Sequence, residues 1–351
     1  MNAKRAAACL LIAALASTSV CAAQSAPTED SAVLDADGTA RITRVIPVPR
    51  TISPEAQAML ATGASWAPGP RQPAAQKLVE KAYAQYPVTM EEKVIAGVKV
   101  RVFTPPSIPV DKRERVLINL HGGGFTTDSG SLLESIPIAS LTRTQVVSVL
   151  YRLAPQDLFP AAVEDVVAVY RELLKSHQAA NMALYGTSAG AALTAQSVVR
   201  LRQLGLPLPA VLGFFSGNAD STTAGDSRAF YAVAGLAGAT VPPPGNQRAT
   251  YLGTHDPADP VASPIKSDLR GWPPVLCMTG TRDEALSGTV NFHRALLRAG
   301  VDAQLIVYDA LPHAFWYTIG IPEAGEALES QAKFFDGHLG PRKGGRPVPK
   351  D

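Results

Sequence analysis

The chain has 351 residues, 46% apolar and 18% charged, with a formal net charge of +2. This composition supplies a large core and excludes an intrinsically disordered chain. No basic block interrupts the interior, which excludes a nucleic-acid binder. Arg342, Lys343, Arg346 and Lys350 fall in a Gly/Pro-rich end, and residues 340–351 read as a flexible tail.

The first residues read as a targeting segment. Lys4 and Arg5 precede an apolar run, AAACLLIAALA (6–16), and small residues follow, with Cys21-Ala22-Ala23 fitting an A-x-A-like cleavage site. Residues 1–23 are therefore expected to be a signal peptide cleaved at Ala22 or Ala23, with the mature chain periplasmic or secreted. The run is too short to span a bilayer, so no stable membrane insertion is expected after cleavage. Lipoprotein anchoring at Cys21 is the lesser reading, because bulky Val20 precedes it. Cleavage leaves Cys277 alone, which excludes an internal disulfide and a C-x-x-C site. Its apolar neighbours, PVLCMTG, mark it as an inert core residue.

Residues 24–87 are rich in Pro, Ala and Gly and carry one clear helical stretch, Pro73 to Tyr86. Two alternating strands follow in EEKVIAGVKVRVFTP, joined at Ala96-Gly97. Then come short apolar strands at Val116–Leu120 and Gln145–Tyr151, and an amphipathic helix over AAVEDVVAVYRELLK with Pro160 in its first turn. The strand MALYG leads into a helix, AGAALTAQSVVRLRQLG, that stops at Gly205. AVLGFF and PVLCMTG are strands, LSGTVNFHRALLRAG is a helix, AQLIVYDA is a strand, and a last helix runs from about Glu323 to Phe335. Near-continuous apolar strands alternating with helices predict a mostly parallel sheet covered on both faces, over residues 88–339. Residues 216–273 read as a loop-rich insertion over the sheet's end. Ligands of such sheets bind outside the carboxyl ends of the strands.

Those ends carry the chemistry. In GTSAG, Ser188 sits between Gly186 and Gly190, after a strand and before a helix, which is the context of a nucleophile elbow. A serine hydroxyl is a weak nucleophile and needs a base, an acid to orient that base, and N–H donors for the oxyanion that forms. His313 follows the strand AQLIVYDA and is the candidate base. Asp283, after PVLCMTG, is the candidate acid; Glu284 is the fallback, and a helix-capping role for Asp283 is the plain alternative. His121-Gly122-Gly123-Gly124-Phe125 follows another strand, and its glycines let N–H groups approach a ligand oxygen. The candidate oxyanion donors are Gly123, Gly124 and Ala189, the last at a helix N-terminus. His121 is expected to serve loop packing. The order Ser188, Asp283, His313 is that of an α/β-hydrolase.

These motifs carry a resemblance. HGGGF, YRLAP (151–155), FPAAVED (159–165), GTSAG, DPVASPI (259–265), GTRDEAL and LPHAF occur in that order. The chain resembles the hormone-sensitive-lipase-like branch of the α/β-hydrolases, the bacterial family IV carboxylesterases, over roughly Val94 to Leu339. The resemblance implies an α/β-hydrolase fold with a helical cap built from the N-terminal helices and part of the insertion. It implies a serine esterase acting on short-to-medium acyl esters through an acyl-enzyme on Ser188. Departures from the family pattern are Gln156, Glu284-Ala285, Ala191 and Ala314; none removes a catalytic group, so they bear on substrate range.

Phe125, Tyr231 and Trp316 are the candidate substrate-binding residues, with Trp66, Phe230 and Tyr317 as further wall candidates. No metal-ligand spacing such as H-E-x-x-H occurs, and no cofactor is expected. The expected partner is a small-molecule ester, with a homodimer left open. A lactone or amide hydrolase with the same triad is the alternative, and a non-catalytic small-molecule binder on the same fold is a further one.

Overall fold

The computed structural model describes residues 31–43, 46–61, 73–231 and 251–340. The expected signal peptide and the tail beyond Gly340 lie outside them, as does Trp66. The chain divides into a unit of residues 1–47 and a body of residues 48–351. In the first unit, β1 (Ser31–Leu34) and β2 (Ala40–Thr43) pair antiparallel. Gly38, at φ +85°, closes their turn by donating its N–H to the Asp35 carbonyl at 2.9 Å. This pair is a finding: two four-residue strands are too short for alternation to stand out in the sequence.

The body is a sheet of eight strands in the order β10-β9-β8-β7-β5-β6-β4-β3. β3 (Thr89–Ile95) and β4 (Val98–Thr104) form an antiparallel edge, and β4 also pairs antiparallel with β6 (Gln145–Val149). β5 (Val116–Leu120), β6, β7 (Met182–Thr187), β8 (Val211–Phe215), β9 (Val275–Arg282) and β10 (Ala303–Pro312) are mutually parallel. β5, β7 and β8 are buried at every position, because helices cover both faces. That is why these strands read as unbroken apolar runs.

The helices are α1 (Pro54–Ala61), α2 (Pro73–Gln85), α3 (Ser131–Thr142), α4 (Ala161–Leu173), α5 (Ala189–Gln203), α6 (Asp226–Tyr231), α7 (Leu286–Arg298) and α8 (Pro322–His338). Val163, Val166 and Tyr170 of α4, Leu193 and Val198 of α5, and Phe292 and Leu296 of α7 form one core on one face of the sheet. Ile136 and Ala139 of α3, and Leu328 and Phe335 of α8, form the other core, to which α1 and α2 add Ala56, Met59 and Ala82. Burying each such aliphatic or aromatic side chain stabilises the fold by about 1.5–3 kcal/mol. Cys277 lies in the first core, and burial pushes its thiol pKa up.

Three helices of the body were not legible in the sequence; α6 is only six residues long and lies in the stretch read as a loop-rich insertion. α1 is only eight residues long. α3 carries Pro137 in its interior, which removes a backbone donor and argues against a helix. It is also buried on nearly all sides, so it shows no amphipathic stripe. α3 supplies the crossover between the parallel strands β5 and β6.

The turn from β7 into α5 is the tightest point of the body. A Cβ on Gly190 would fall on the carbonyl of Leu120 at the end of β5, and a Cβ on Gly186 would meet the same oxygen and the backbone of Gly190. Backbone atoms at the end of β5 and in the first turn of α5 bound this space, so no side chain can move to make room. Gly190→Ala is therefore expected to destabilise the protein by about 3 kcal/mol, the upper end of overpacking costs. Urea unfolding would read this as a lower midpoint at unchanged slope; an unchanged midpoint would show that the turn can relax.

Candidate active site

Ser188 stands at the apex of the β7–α5 turn with φ 58° and ψ −118°, a backbone conformation that L-residues rarely adopt. Its N–H donates to the Phe215 carbonyl at 2.9 Å, and its own carbonyl accepts the Ala192 N–H at 3.2 Å. These bonds tie the elbow to the end of β8 and to the first turn of α5. The side chain is left at the sheet's carboxyl end, partly exposed.

His313 follows β10 and is 4% exposed; Asp283 follows β9 and is fully buried. The His313 Nδ1 lies 2.8 Å from Asp283 Oδ1. Asp283 accepts three further donors: the Ala285 N–H at 2.8 Å on Oδ1, the Thr279 hydroxyl at 2.7 Å and the Ser216 hydroxyl, both on Oδ2. Burial opposes the charge on Asp283, but the His313 charge and these hydrogen bonds outweigh it and hold the carboxyl pKa below its ordinary value. Burial likewise opposes imidazolium, and the adjacent carboxylate outweighs it, so the His313 pKa lies above its ordinary value. Glu284 lines the same cavity 3.5 Å from Arg228, and its charge also favours imidazolium at His313.

Ser188, Ala189, His313, Gly124 and Phe125 line one cavity of about 460 Å³. Gly123 and Gly124 take φ of 120° and 62°, and a Cβ on Gly123 would fall on the Thr127 carbonyl. Thr126 and Thr127 N–H both donate to the Gly123 carbonyl, which curls the loop back on itself. Among the described residues no acceptor meets the Gly123 or Gly124 N–H. Ala189 is the first residue of α5, where N–H groups have no partner within the helix. His121 is buried beneath this loop, with Nδ1 2.8 Å from the Gly122 carbonyl and its ring stacked on Tyr151 at 4.2 Å.

Phe125 lines the cavity and stacks on Tyr251, ring centroids 3.6 Å apart. Tyr231 ends α6, but its side chain lies outside the described residues. Trp316 must be corrected. It lies 1% exposed in the second core, its Nε1 donating to Thr187 Oγ1 at 3.3 Å, and it takes no part in the cavity wall. The cause is Ala314, whose left-handed backbone (φ 53°) turns the chain inward directly after His313. Tyr317 is buried with it, and half-exposed Phe230 is also absent from the wall.

Four residues that sequence reasoning passed over matter here. Ser216, at φ 48° after β8, holds Asp283. Gln196, Arg228 and His255 line the cavity. Polar residues on helices and in loops carry no spacing signal, so nothing in the sequence marked them. Among the described residues no cluster of His, Cys, Asp and Glu could hold a metal ion.

A family model described as alpha/beta hydrolase fold matches residues 117–317, more than half of the chain. The chain belongs to the α/β-hydrolase family. Its branch is the hormone-sensitive-lipase-like one that the sequence motifs implied. Among curated proteins it is similar to an acetyl-hydrolase of Streptomyces hygroscopicus, 32% identical over 64% of this chain and 77% of that protein. It is also similar to an esterase of Acinetobacter venetianus, 27% identical over 63% and 74%. Among solved structures it resembles esterase E25, with a TM-score of 0.74 and 31% identity over 84% of this chain and 97% of that one. An esterase of the bacterial hormone-sensitive lipase family matches with a TM-score of 0.67 and 30% identity, over 82% and 99%.

Proposed function

We propose that this α/β-hydrolase is a serine carboxylesterase acting on short-to-medium acyl esters, with Ser188 as nucleophile, His313 as base and Asp283 as the orienting acid. The observation that carries the reading is the 2.8 Å His313–Asp283 bond at the wall of the cavity that Ser188 also lines. The esterase and acetyl-hydrolase relatives support it.

In the reaction, His313 takes the Ser188 proton as Oγ attacks the ester carbonyl carbon. The carbonyl π electrons move onto oxygen, and the N–H groups of Gly123, Gly124 and Ala189 meet the resulting oxyanion. The bond to the alcohol then breaks, and His313 returns its proton to the departing alkoxide. Water, deprotonated by the same imidazole, attacks the acyl carbon; the bond to Ser188 Oγ breaks, His313 returns the proton to Oγ, and the carboxylic acid leaves. Asp283 keeps the Nδ1 proton in place throughout, so Nε2 is the face presented to Ser188. No step calls on a cofactor.

A cavity of about 460 Å³ suits a small ester. Phe125, Tyr251 and Leu252 give it an apolar side, and Gln196, Asn218, Arg228 and His255 a polar one. Tests are labelling with a fluorophosphonate, the modified residue mapped by mass spectrometry, and rates on p-nitrophenyl acetate through decanoate. The expected result is label on Ser188 and rates that peak below octanoate. A folded protein that takes no label and hydrolyses none of the esters would favour the non-catalytic binder instead.

A further inference from the structure

Glu134, on α3, is 3% exposed and reaches beneath the glycine loop. Its Oε1 accepts the Gly122 N–H at 3.2 Å and the Tyr317 hydroxyl, and its Oε2 accepts Asn119 Nδ2 at 2.7 Å. The donors come from separate parts of the site. Asn119 lies near the end of β5, and its Oδ1 in turn accepts the Ser148 hydroxyl of β6 at 2.7 Å. Gly122 opens the turn that carries the Gly123 and Gly124 donors. Tyr317 lies four residues after His313, on the segment that Ala314 turns inward.

The packing leaves this carboxylate no latitude. A Cβ on Gly130 would fall on Glu134 Oε1 and on the Tyr317 hydroxyl, and one on Gly122 would lie 3.2 Å from the same hydroxyl. The Tyr185 hydroxyl donates to the Glu134 backbone carbonyl at 3.3 Å, fixing the helix itself. One buried carboxylate thus joins the oxyanion loop to the His313 segment.

We propose that Glu134 is a positioning residue, whose ionised carboxylate sets the oxyanion loop in register with the His313 segment. The proposal rests on the serine-esterase reading. Ionisation matters because only the carboxylate accepts all three donors without offering one of its own. Protonation would put a donor against Asn119, Gly122 or Tyr317 and force the network to rearrange.

The surroundings make that protonation accessible. Burial pushes the Glu134 pKa up to about 7, against the hydrogen bonds from Tyr317, Asn119 and Gly122 that favour the charge. The titratable and charged groups that face it are Asp128, Tyr151 after β6, Tyr185 of β7 and Tyr317, with His121 and Arg101 of β4 behind Asp128. Asp128 is held by Arg101 at 2.7 Å and by the Ser131 hydroxyl at 2.6 Å, and its pKa is lowered. Burial pushes the His121 pKa down. Glu134 and His313 then both bear on the site through their protons, and both must be free of them for turnover.

The experiment compares wild type, Glu134→Gln and Tyr317→Phe on p-nitrophenyl acetate across pH, with fluorophosphonate labelling of each. The glutamine amide turns a donor toward Asn119 Nδ2 and cannot ionise. Its kcat is expected to fall about 10–100-fold with KM within about threefold, since donors are displaced rather than removed. In wild type the acid limb of log kcat/KM is expected to approach a slope of two, and in Glu134→Gln a slope of one. Tyr317→Phe keeps the ring and removes one donor to the carboxylate, so its acid limb should move to higher pH. That shift decides the matter if Glu134→Gln does not fold. A Glu134→Gln enzyme within twofold of wild-type kcat with the same acid slope overturns the proposal, as does an unmoved limb in Tyr317→Phe. A wild type that takes the label separates that failure from failure of the esterase reading, which would leave wild type itself unlabelled and inactive.

Discussion

Ser188→Ala is expected to lower kcat on p-nitrophenyl acetate by roughly 10⁵–10⁶-fold while leaving the protein folded. The size follows from the proposed mechanism, in which the hydroxyl is the attacking atom: without Oγ it has no acyl-enzyme, and His313 has no proton to take. What remains is the slower attack of water in a cavity that still offers oxyanion donors. The fold should tolerate the change because the elbow is held by backbone bonds, from Ser188 N–H to Phe215 and from Ala192 N–H to Ser188. Initial rates with a matched thermal unfolding curve check both halves. A variant that keeps a tenth of wild-type activity would remove Ser188 from the mechanism.

Asp283→Asn is expected to cost about 10⁴-fold in kcat, the scale seen when the orienting carboxylate of a serine-hydrolase triad becomes an amide. The geometry gives the reason. The Asp283 carboxylate accepts from His313, Ser216, Thr279 and Ala285 and donates to none. An amide in its place must direct two N–H bonds at groups that now donate. If its nitrogen faces His313, the imidazole is held with its proton on Nε2, the wrong tautomer for a base. The acid limb should also move. The His313 pKa lies above its ordinary value because the carboxylate outweighs burial. With that charge gone, burial and Arg228 oppose imidazolium against Glu284 alone, and the His313 part of the limb shifts to lower pH. A pH–rate profile in which Asp283→Asn shifts the limb upward, or leaves both its position and its slope unchanged, would show that Asp283 does not set the base.

The sequence disclosed the site where geometry admits one residue type. Gly186 and Gly190 are visible because the β7–α5 turn presses them against Leu120. Gly123 and Gly124 are visible because the loop needs positive φ. The parallel strands were readable because both their faces are covered, so their apolar runs are unbroken. Where burial acts all round a helix, as in α3, no stripe survives, and Pro137 pointed the wrong way. Trp316 was misplaced for a related reason. An aromatic next to His313 suits a pocket wall equally well, and only the inward turn at Ala314 sends it to the core. Ser216 and Glu134 were invisible because their roles come from partners far away in the chain, Asp283 and the pair of Gly122 and Tyr317.

The strand order has a consequence in time. Ser188 follows β7, in the interior of the sheet, whereas His313 follows β10, an edge strand and the last strand among the described residues. A ribosome therefore delivers the nucleophile well before its base, and the elbow is complete while the segment after β10 is still unmade. Among the described residues β10 pairs only with β9, and α8 closes over that face afterwards. On the proposed mechanism the growing chain carries its nucleophile without its base until β10 and the segment after it are added, so catalytic competence comes with the closing strand of the sheet.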